Sequence, residues 1–579
     1  MRWRTFLWLL PVLMIGVAPW EVRAQSSLDP GQLPKSTVFY LAWHGTPAGD
    51  ARKANSLLAL WDDSDFTPVR AAIIEEMVSD STAAKKTQTA ITREELAQYA
   101  SLLDNEFVVG YLGDSNAAKS VELDSAGGKW NGMFLVYDRT GKETTLTKLL
   151  VQMRKNEKDP PEISATSIAG IPAIKVVRKT GTSYWAEDGS YAFTASDPAV
   201  FAQVGAWARH TAPADGGLAQ TAEYREASDL LKGGMIELFF RFSSIKEIAP
   251  DSNAGGFRLR SLLRGLRLET VHSIAGHLAI DGARTRMQGA ILGDALSGTL
   301  FDIWDAGTDA PPASMKFVNA NTVSYQTSRI NLVGIYELIK RALRSSVGDG
   351  QSSPAEAVDT MAKVRLGMPL SDALGLFSGE FATLQSSPTL DPAKQVYMMG
   401  IRKKPETLKM LRTGLGDYLA GEQTEGDTTY LKVSEGGIHN DAGTASWKYQ
   451  YLAVTPDAIV YSNRRETVRE LLATRKSASD STVALPLTWQ AARDQFPKTI
   501  NGLSFLDLQK VDWTAVKERW NAESRKASNG ARTSRKMPQG ALSSALEQLP
   551  PQVFQRHLHL TASGSWKDAQ GVHVDGWIE

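Results

Sequence analysis

Two glutamates hold matching positions in two parts of the chain, and each stands directly before an aromatic residue. Glu106 precedes Phe107, and Glu380 precedes Phe381. Two carboxylates that face each other about 5–10 Å apart can divide the work of glycoside hydrolysis, one as the acid and the other as base or nucleophile. The sequence does not determine their separation. A structural role, in which each carboxylate accepts hydrogen bonds from nearby backbone, is the simpler alternative.

Ser243 and Lys246 have the spacing of a nucleophile and its helper in serine acyl transfer. Penicillin-binding proteins and serine β-lactamases combine this Ser-x-x-Lys element with a Lys-Thr-Gly strand, and Lys179-Thr180-Gly181 is similar to that strand. In those enzymes the serine element comes first and a Ser-x-Asn element lies between the two. Here the order is reversed and the middle element is missing. The lysine segment is also a good hairpin turn, which is the alternative interpretation.

Three histidines and one aspartate flank the last predicted hairpin, and their residue types suit a metal ion. Alternation places His557 and His559 on one strand face, and His573 and Asp575 on one face of the next strand. With the turn centred near residue 568, Asp575 faces Ala562, which is about 10 Å from His559 along the strand. Metal ligands lie within about 2 Å of a shared ion. A shift of register would bring them closer, so a metal site competes with ordinary surface residues.

His44 follows the first predicted strand, and the matching position later in the chain holds Arg329. A single histidine at a strand end is usually structural or solvated, although such positions also line sites.

The sequence contains no cysteine, which excludes disulfides, thiolate metal sites and thiol catalysis. It also lacks the nucleophile elbow, the zinc-protease helix motif, and the phosphate and dinucleotide loops. We therefore expect no cofactor. Lys and Arg together number 64 and Asp and Glu 64, and this balance argues against a nucleic-acid binder.

Residues 1–24 have the pattern of an export signal. Arg2 and Arg4 precede an apolar stretch from Phe6 to Val17, and Ala24 offers a small residue for cleavage before Gln25. The stretch is shorter than the roughly 20 residues that span a bilayer. We expect an exported protein, periplasmic or extracellular after signal removal, with no stable transmembrane segment.

Short landmarks recur in the same order in two parts of the chain, which predicts an internal repeat. Thr37-Val38-Phe39-Tyr40 returns as Thr322-Val323-Ser324-Tyr325, and the segment that begins at Gly234 has a counterpart beginning at Gly502. Residues 25–304 and 314–579 are therefore predicted as two similar copies, joined by a linker over residues 305–313. Two unrelated domains with the same kinds of strand and helix remain the alternative.

Strand-like segments come in runs with hairpin turns rather than in strict strand–helix–strand alternation. This pattern predicts an α+β fold, in which each copy is an antiparallel sheet with helices packed on one face. An example of the strand–helix unit is Phe193 to Val204, where Ser196 or Asp197 is expected to cap the helix.

The segment from Leu33 to Tyr40, together with the strand–helix unit that ends at Val204, resembles a class of exported bacterial proteins of unknown function with duplicated α+β halves. The resemblance extends over most of residues 33–579. It implies a fold and an exported location, and it carries over neither an activity nor catalytic residues.

We therefore expect a non-catalytic binding or scaffold protein of the bacterial cell envelope, whose partner is a protein, a lipid or a polymer. The alternative is a periplasmic hydrolase of cell-wall or sugar substrates that uses Ser243 and Lys246, or Glu106 and Glu380.

Overall fold

The fold is derived from a computed structural model. It describes residues 28–73, 105–113, 132–141, 161–178, 181–211, 216–242, 253–254, 257–258, 265–294, 298–304, 312–346, 354–439, 445–462, 464–478, 486–519, 522 and 541–579.

The described residues form a mixed α/β structure whose main element is an antiparallel sheet of twenty strands. The strands of the first part of the chain are β1 (Thr37–Trp43), β2 (Phe107–Leu112), β3 (Met133–Asp138), β4 (Glu162–Ile168), β5 (Ile171–Arg178), β6 (Gly181–Asp188), β7 (Tyr191–Ala195), β8 (Ile236–Arg241), β9 (Asn253–Ala254), β10 (Phe257–Arg258), β11 (Val271–Asp281) and β12 (Arg284–Gly293). Those of the second part are β13 (Ser324–Arg329), β14 (Phe377–Gln385), β15 (Val396–Ile401), β16 (Leu419–Glu425), β17 (Thr428–His439), β18 (Ala445–Val454), β19 (Ala458–Ser462), β20 (Gly502–Asp507), β21 (Leu560–Lys567) and β22 (Gly571–Ile578). Strands β9 and β10 form a separate two-stranded sheet.

Helices lie between the strands in both parts. The α-helices include Gly49–Ala54, Ser56–Asp62, Pro198–Ala208, Ala222–Ala227, Leu332–Ser346, Pro354–Leu366, Leu370–Gly375, Lys404–Leu415, Arg465–Ala478, Leu487–Arg493, Ala541–Gln548 and Gln552–His557. Short 3-10 turns such as Pro30–Gln32 and Ala313–Phe317 precede the first strand of each part.

The strand pairings join both parts of the chain into one sheet. Its order is β4-β5-β6-β7-β3-β2-β1-β8-β11-β12-β22-β21-β20-β13-β14-β15-β19-β18-β17-β16. All pairings are antiparallel. The seam between the two parts is the pair β12–β22, where Gln288 faces Asp575.

Alternation along β1 defines the two faces of the sheet, since successive strand residues point to opposite sides. Tyr40 and Ala42 are fully buried in a core that also contains Phe201 of the helix Pro198–Ala208. We name this side the Tyr40 face and the opposite side the Leu41 face. Residues paired directly across antiparallel strands share a face, so the register assigns every other strand.

The helix Pro198–Ala208 shows why local sequence specifies these elements. Asp197 caps it by accepting hydrogen bonds from the backbone N–H groups of Ala199 and Val200, and Pro198 occupies the first turn. The predicted cap at Ser196 or Asp197 is therefore confirmed at Asp197. Phe201 on the buried side packs on Phe193 of β7, with ring centroids 5.0 Å apart.

Helices cover both faces of the sheet, which differs from the expected single face. The helix Arg465–Ala478 packs Val468 against Val460 on the Tyr40 face, whereas the helix Lys404–Leu415 packs Leu408 against Leu431 on the Leu41 face. The physical reason is that strands such as β19 carry consecutive apolar residues, with Ile459 on one side and Val460 on the other, so both of their sides need cover.

Candidate functional site

His44 lies between two carboxylates at the end of β1. Its Nδ1 is 2.7 Å from Glu106 Oε1, and its Nε2 is 3.6 Å from Glu237 Oε1, which is an ion-pair distance. Glu106 directly precedes β2 and Glu237 lies in β8, the two strands that flank β1. Both glutamates are buried, with 8% and 6% of their surfaces exposed.

Burial alone would lower the pKa of His44, because it disfavours the charged imidazolium. Hydrogen bonding to Glu106 and the neighbouring charge of Glu237 outweigh that penalty and raise the pKa of His44 from 6.5 to about 9. The imidazole therefore carries a proton at neutral pH and lies buried between the two glutamate side chains.

Glu106 and Glu380 each bind backbone at the start of their part of the chain. Glu106 Oε2 accepts a hydrogen bond from the N–H of Leu28 at 3.2 Å. Glu380 accepts from the N–H groups of Ala313 and Ser314 at 3.0 and 2.8 Å. Arg329, at the end of β13, faces Glu380 in the strand register.

The structure does not bring Glu106 and Glu380 together. Nine strand-to-strand steps separate β2 from β14, or about 40 Å along the sheet at ~4.8 Å per step. Two carboxylates of one glycosidase site lie within about 10 Å. Each glutamate therefore acts in its own surroundings.

The four candidate metal ligands also have separate partners. His557 Nε2 lies 2.8 Å from Asp63 Oδ2, His559 Nδ1 lies 2.8 Å from the Gln509 amide, and His573 Nε2 lies 3.1 Å from Asp568 Oδ1. The described residues contain no group of three or more His, Asp or Glu placed to hold a metal ion.

The register of the last hairpin differs from the expected one. Asp575 faces Gly564 rather than Ala562, because β21 extends to Lys567, which pairs with Val572. The shift moves Asp575 further from His559. Its carboxylate instead accepts two hydrogen bonds from Arg286, at 2.9 and 2.5 Å, and one from Gln288 at 3.1 Å. These bonds connect β22 to β12 across the seam.

Several sequence candidates lie outside the described residues. These are Ser243 and Lys246, the lysine and threonine of the Lys179-Thr180-Gly181 element, the signal segment 1–24 and most of the linker.

A row of apolar side chains crosses the Leu41 face of the first part. Direct pairings link Leu135, Val109, Leu41, Leu238, Gly276, Gly289 and Val574 across β3, β2, β1, β8, β11, β12 and β22. We call this set the apolar row. The four residues from Leu135 to Leu238 are half-buried, Leu41 against the cluster of Trp43, Leu58 and Met235, and Val574 is 39% exposed. Met287, beside Gly289 on β12, is 56% exposed.

A second row continues the same face into the second part, with uncharged polar side chains. Direct pairings link Ser563, Ser504, Gln326, Thr383 and Tyr397 across β21, β20, β13, β14 and β15. We call this set the polar row. Gln326 and Tyr397 are exposed, and the other three are half-buried. Neither row contains an acidic or basic residue.

The polar row begins at Ser563, two residues along β21 from Ser565, which is the residue that pairs with Val574 at the end of the apolar row. Six strand steps separate Leu135 from Val574, or about 29 Å, and four separate Ser563 from Tyr397, or about 19 Å, at ~4.8 Å per step. Sequence reasoning missed this surface. The signal was available, because Phe39 and Leu41 of β1 are apolar where Ser324 and Gln326 of β13 are polar.

No protein-family model, curated protein or solved structure matches this chain. Among the helices of the described residues, none has both the length and the apolar character needed to cross a membrane.

Proposed function

We propose that this protein is an exported, non-catalytic binding protein of the bacterial cell envelope that holds an amphiphilic lipid on its Leu41 face. The observation that carries the proposal is the change of polarity along one sheet face. Half-buried aliphatic side chains from Leu135 to Leu238 give way to uncharged polar side chains from Ser563 to Tyr397. A lipid likewise passes from an apolar acyl chain to a polar head group along its length.

The dimensions of the face suit an acyl chain. The hydrocarbon part of one bilayer leaflet is about 15 Å thick, which is shorter than the apolar row. A dozen buried methylenes contribute on the order of 10 kcal/mol at ~0.8 kcal/mol each. Association and ordering cost at least about 4 kcal/mol, so about 6 kcal/mol is left, which corresponds to a dissociation constant of roughly tens of micromolar.

Glycines make the centre of this face shallow. Gly276 and Gly289 face each other on β11 and β12, and Gly289 faces Val574 across the seam. A glycine inside a strand lets a ligand approach the backbone closely. The centre of the face therefore supports a chain that passes from the apolar row to the polar row.

We also infer that residues 25–304 and 314–579 are two similar tandem copies. Outward from the seam the strands follow the same relative order in both parts, with β1 matching β13 and β2 matching β14. Glu106 and Glu380 support the inference, because each binds backbone that precedes the first strand of its part. Export remains a proposal that depends on the signal-like pattern of residues 1–24.

The test is acyl-chain binding by the purified full chain, measured with a pyrene-labelled fatty acid. The double variant Leu41→Gln/Leu238→Ser introduces polar groups into the apolar row, and we expect at least tenfold weaker binding. Leu487→Ser is the matched control, because Leu487 is 87% exposed and lies in the helix Leu487–Arg493, outside both rows. It should bind like wild type.

Unchanged binding by a folded double variant would overturn the proposal. If the double variant does not fold, Gly289→Val provides a second test, since the nearest atom to a Cβ at Gly289 is the backbone oxygen of Ala275 at 3.4 Å. Its added branch points over the apolar row, so it should weaken binding while the far-ultraviolet circular dichroism stays unchanged. Wild-type affinity in that folded variant would equally contradict the proposal.

A further inference from the structure

We propose that the polar row binds an uncharged sugar, so that the ligand of this protein is a glycolipid. The inference rests on the proposed lipid-binding function and names the head group that goes with it. Three features of the polar row support it: its lack of charge, its exposed tyrosine and its absence from the matching positions of the first part.

The lack of charge argues against an anionic lipid head. Proteins commonly bind phosphate and carboxylate groups through Arg or Lys, which provide charge-assisted hydrogen bonds. The row from Ser563 to Tyr397 contains neither residue. Its hydroxyl and amide groups both donate and accept hydrogen bonds, as the hydroxyls of a sugar do. An uncharged head with several hydroxyls is therefore the matching partner.

Tyr397 provides a surface for the apolar side of a sugar ring. It is 43% exposed, and its ring centroid lies 5.9 Å from that of Tyr461, with 33° between the planes. Its hydroxyl donates a hydrogen bond to Gln395 Oε1 at 3.1 Å. These contacts hold the ring in place, so that little side-chain entropy remains to be lost on binding.

The matching positions of the first part have no such chemistry. Leu135, Val109 and Leu41 occupy the places on β3, β2 and β1 that Tyr397, Thr383 and Gln326 occupy on β15, β14 and β13. The polar row is therefore not required by this arrangement of strands. The two rows together provide one surface for a chain and an adjoining surface for a head.

Calorimetry below the micelle concentration tests this with three probes: dodecyl maltoside, dodecylphosphocholine and free maltose. We expect wild type to bind the maltoside at least tenfold more tightly than the phosphocholine. Gln326→Ala/Tyr397→Ala should weaken maltoside binding about tenfold and leave phosphocholine binding unchanged. Tyr418→Ala is the control, because Tyr418 is 58% exposed and lies outside the row. It should not change either affinity.

The outcomes separate this proposal from the proposed function. If Leu41→Gln/Leu238→Ser weakens both detergents but the polar-row variant does not distinguish their heads, lipid binding stands and the sugar proposal is overturned. If the polar-row variant weakens the maltoside and the apolar-row variant weakens neither detergent, lipid binding fails. Free maltose that binds as tightly as the maltoside would identify a soluble sugar and overturn the glycolipid.

Discussion

His44 Nδ1 lies 2.7 Å from Glu106 Oε1, and this ion pair connects the end of β1 to the start of β2. Glu106 also accepts a hydrogen bond from the N–H of Leu28, so one buried carboxylate holds both a strand end and the segment that precedes β1. The raised pKa of His44 makes the stability of the fold depend on the protonation of this imidazole.

Replacing His44 by Gln should remove a pH dependence of stability. The pKa of His44 is raised from 6.5 to about 9. The contribution of protonated His44 to the free energy of unfolding is therefore fully present below pH 6.5 and is lost as the pH rises through about 9. The shift corresponds to about 3 kcal/mol. Urea unfolding from pH 6 to 10 should show a decline in wild type that is smaller in the variant.

His559→Gln is the control for that experiment, because His559 is exposed. This variant should show the same decline in stability with pH as wild type. An identical decline in wild type and His44→Gln would show that the His44–Glu106 pair does not control it.

Asp575→Asn should destabilise the seam between the two parts by about 3 kcal/mol. The carboxylate side chain is 5% exposed and bonds Arg286 through both oxygens. Its removal leaves a partly buried guanidinium unpaired. The midpoint of urea unfolding measures the loss.

Glu422→Gln is the matched control for the seam variant, since Glu422 also bonds an arginine, Arg412, through both oxygens, but at an exposed site. Exposed pairs contribute about 1 kcal/mol or less. Equal losses for the two variants would mean that burial of the Asp575 pair has no energetic consequence.

Glu380→Gln should lower the free energy of unfolding by about 1–2 kcal/mol, because the carboxylate accepts two backbone hydrogen bonds at the start of the turn Ala313–Phe317. The amide keeps one acceptor oxygen and loses the charge. Glu406→Gln, in the exposed first turn of the helix Lys404–Leu415, should change the unfolding midpoint by less. The same midpoint for both variants would contradict an anchoring role for Glu380.

Two glycines that face each other on β11 and β12 should respond differently to alanine. A Cβ at Gly276 meets the backbone oxygen of Gln288 at 2.8 Å, whereas one at Gly289 meets nothing closer than 3.4 Å. Gly276→Ala should therefore lower stability by about 1–3 kcal/mol, and Gly289→Ala by less than about 1 kcal/mol. Thermal unfolding compares them, and the reverse order would refute the register of this strand pair.

Local sequence determined much of the secondary structure. The alternation of residues predicted the last hairpin, and Asp197 acts as the expected cap of the helix Pro198–Ala208. These features follow from interactions within a few residues, which a linear pattern contains. The sequence pointed to only part of the His44 cluster. His44 and Glu106 were recognised as candidates, whereas Glu237, nearly two hundred positions from His44, was not.

Only the tertiary structure decided what lies next to what. The pairing of β12 with β22 brings Arg286 to Asp575, and the order of the strands keeps Glu106 and Glu380 apart. The change of polarity along the Leu41 face also depends on that order, since it combines residues from twelve strands. Each strand alternates by itself, but its neighbour and its register come from burial and backbone pairing over the whole sheet, which no short segment of sequence specifies.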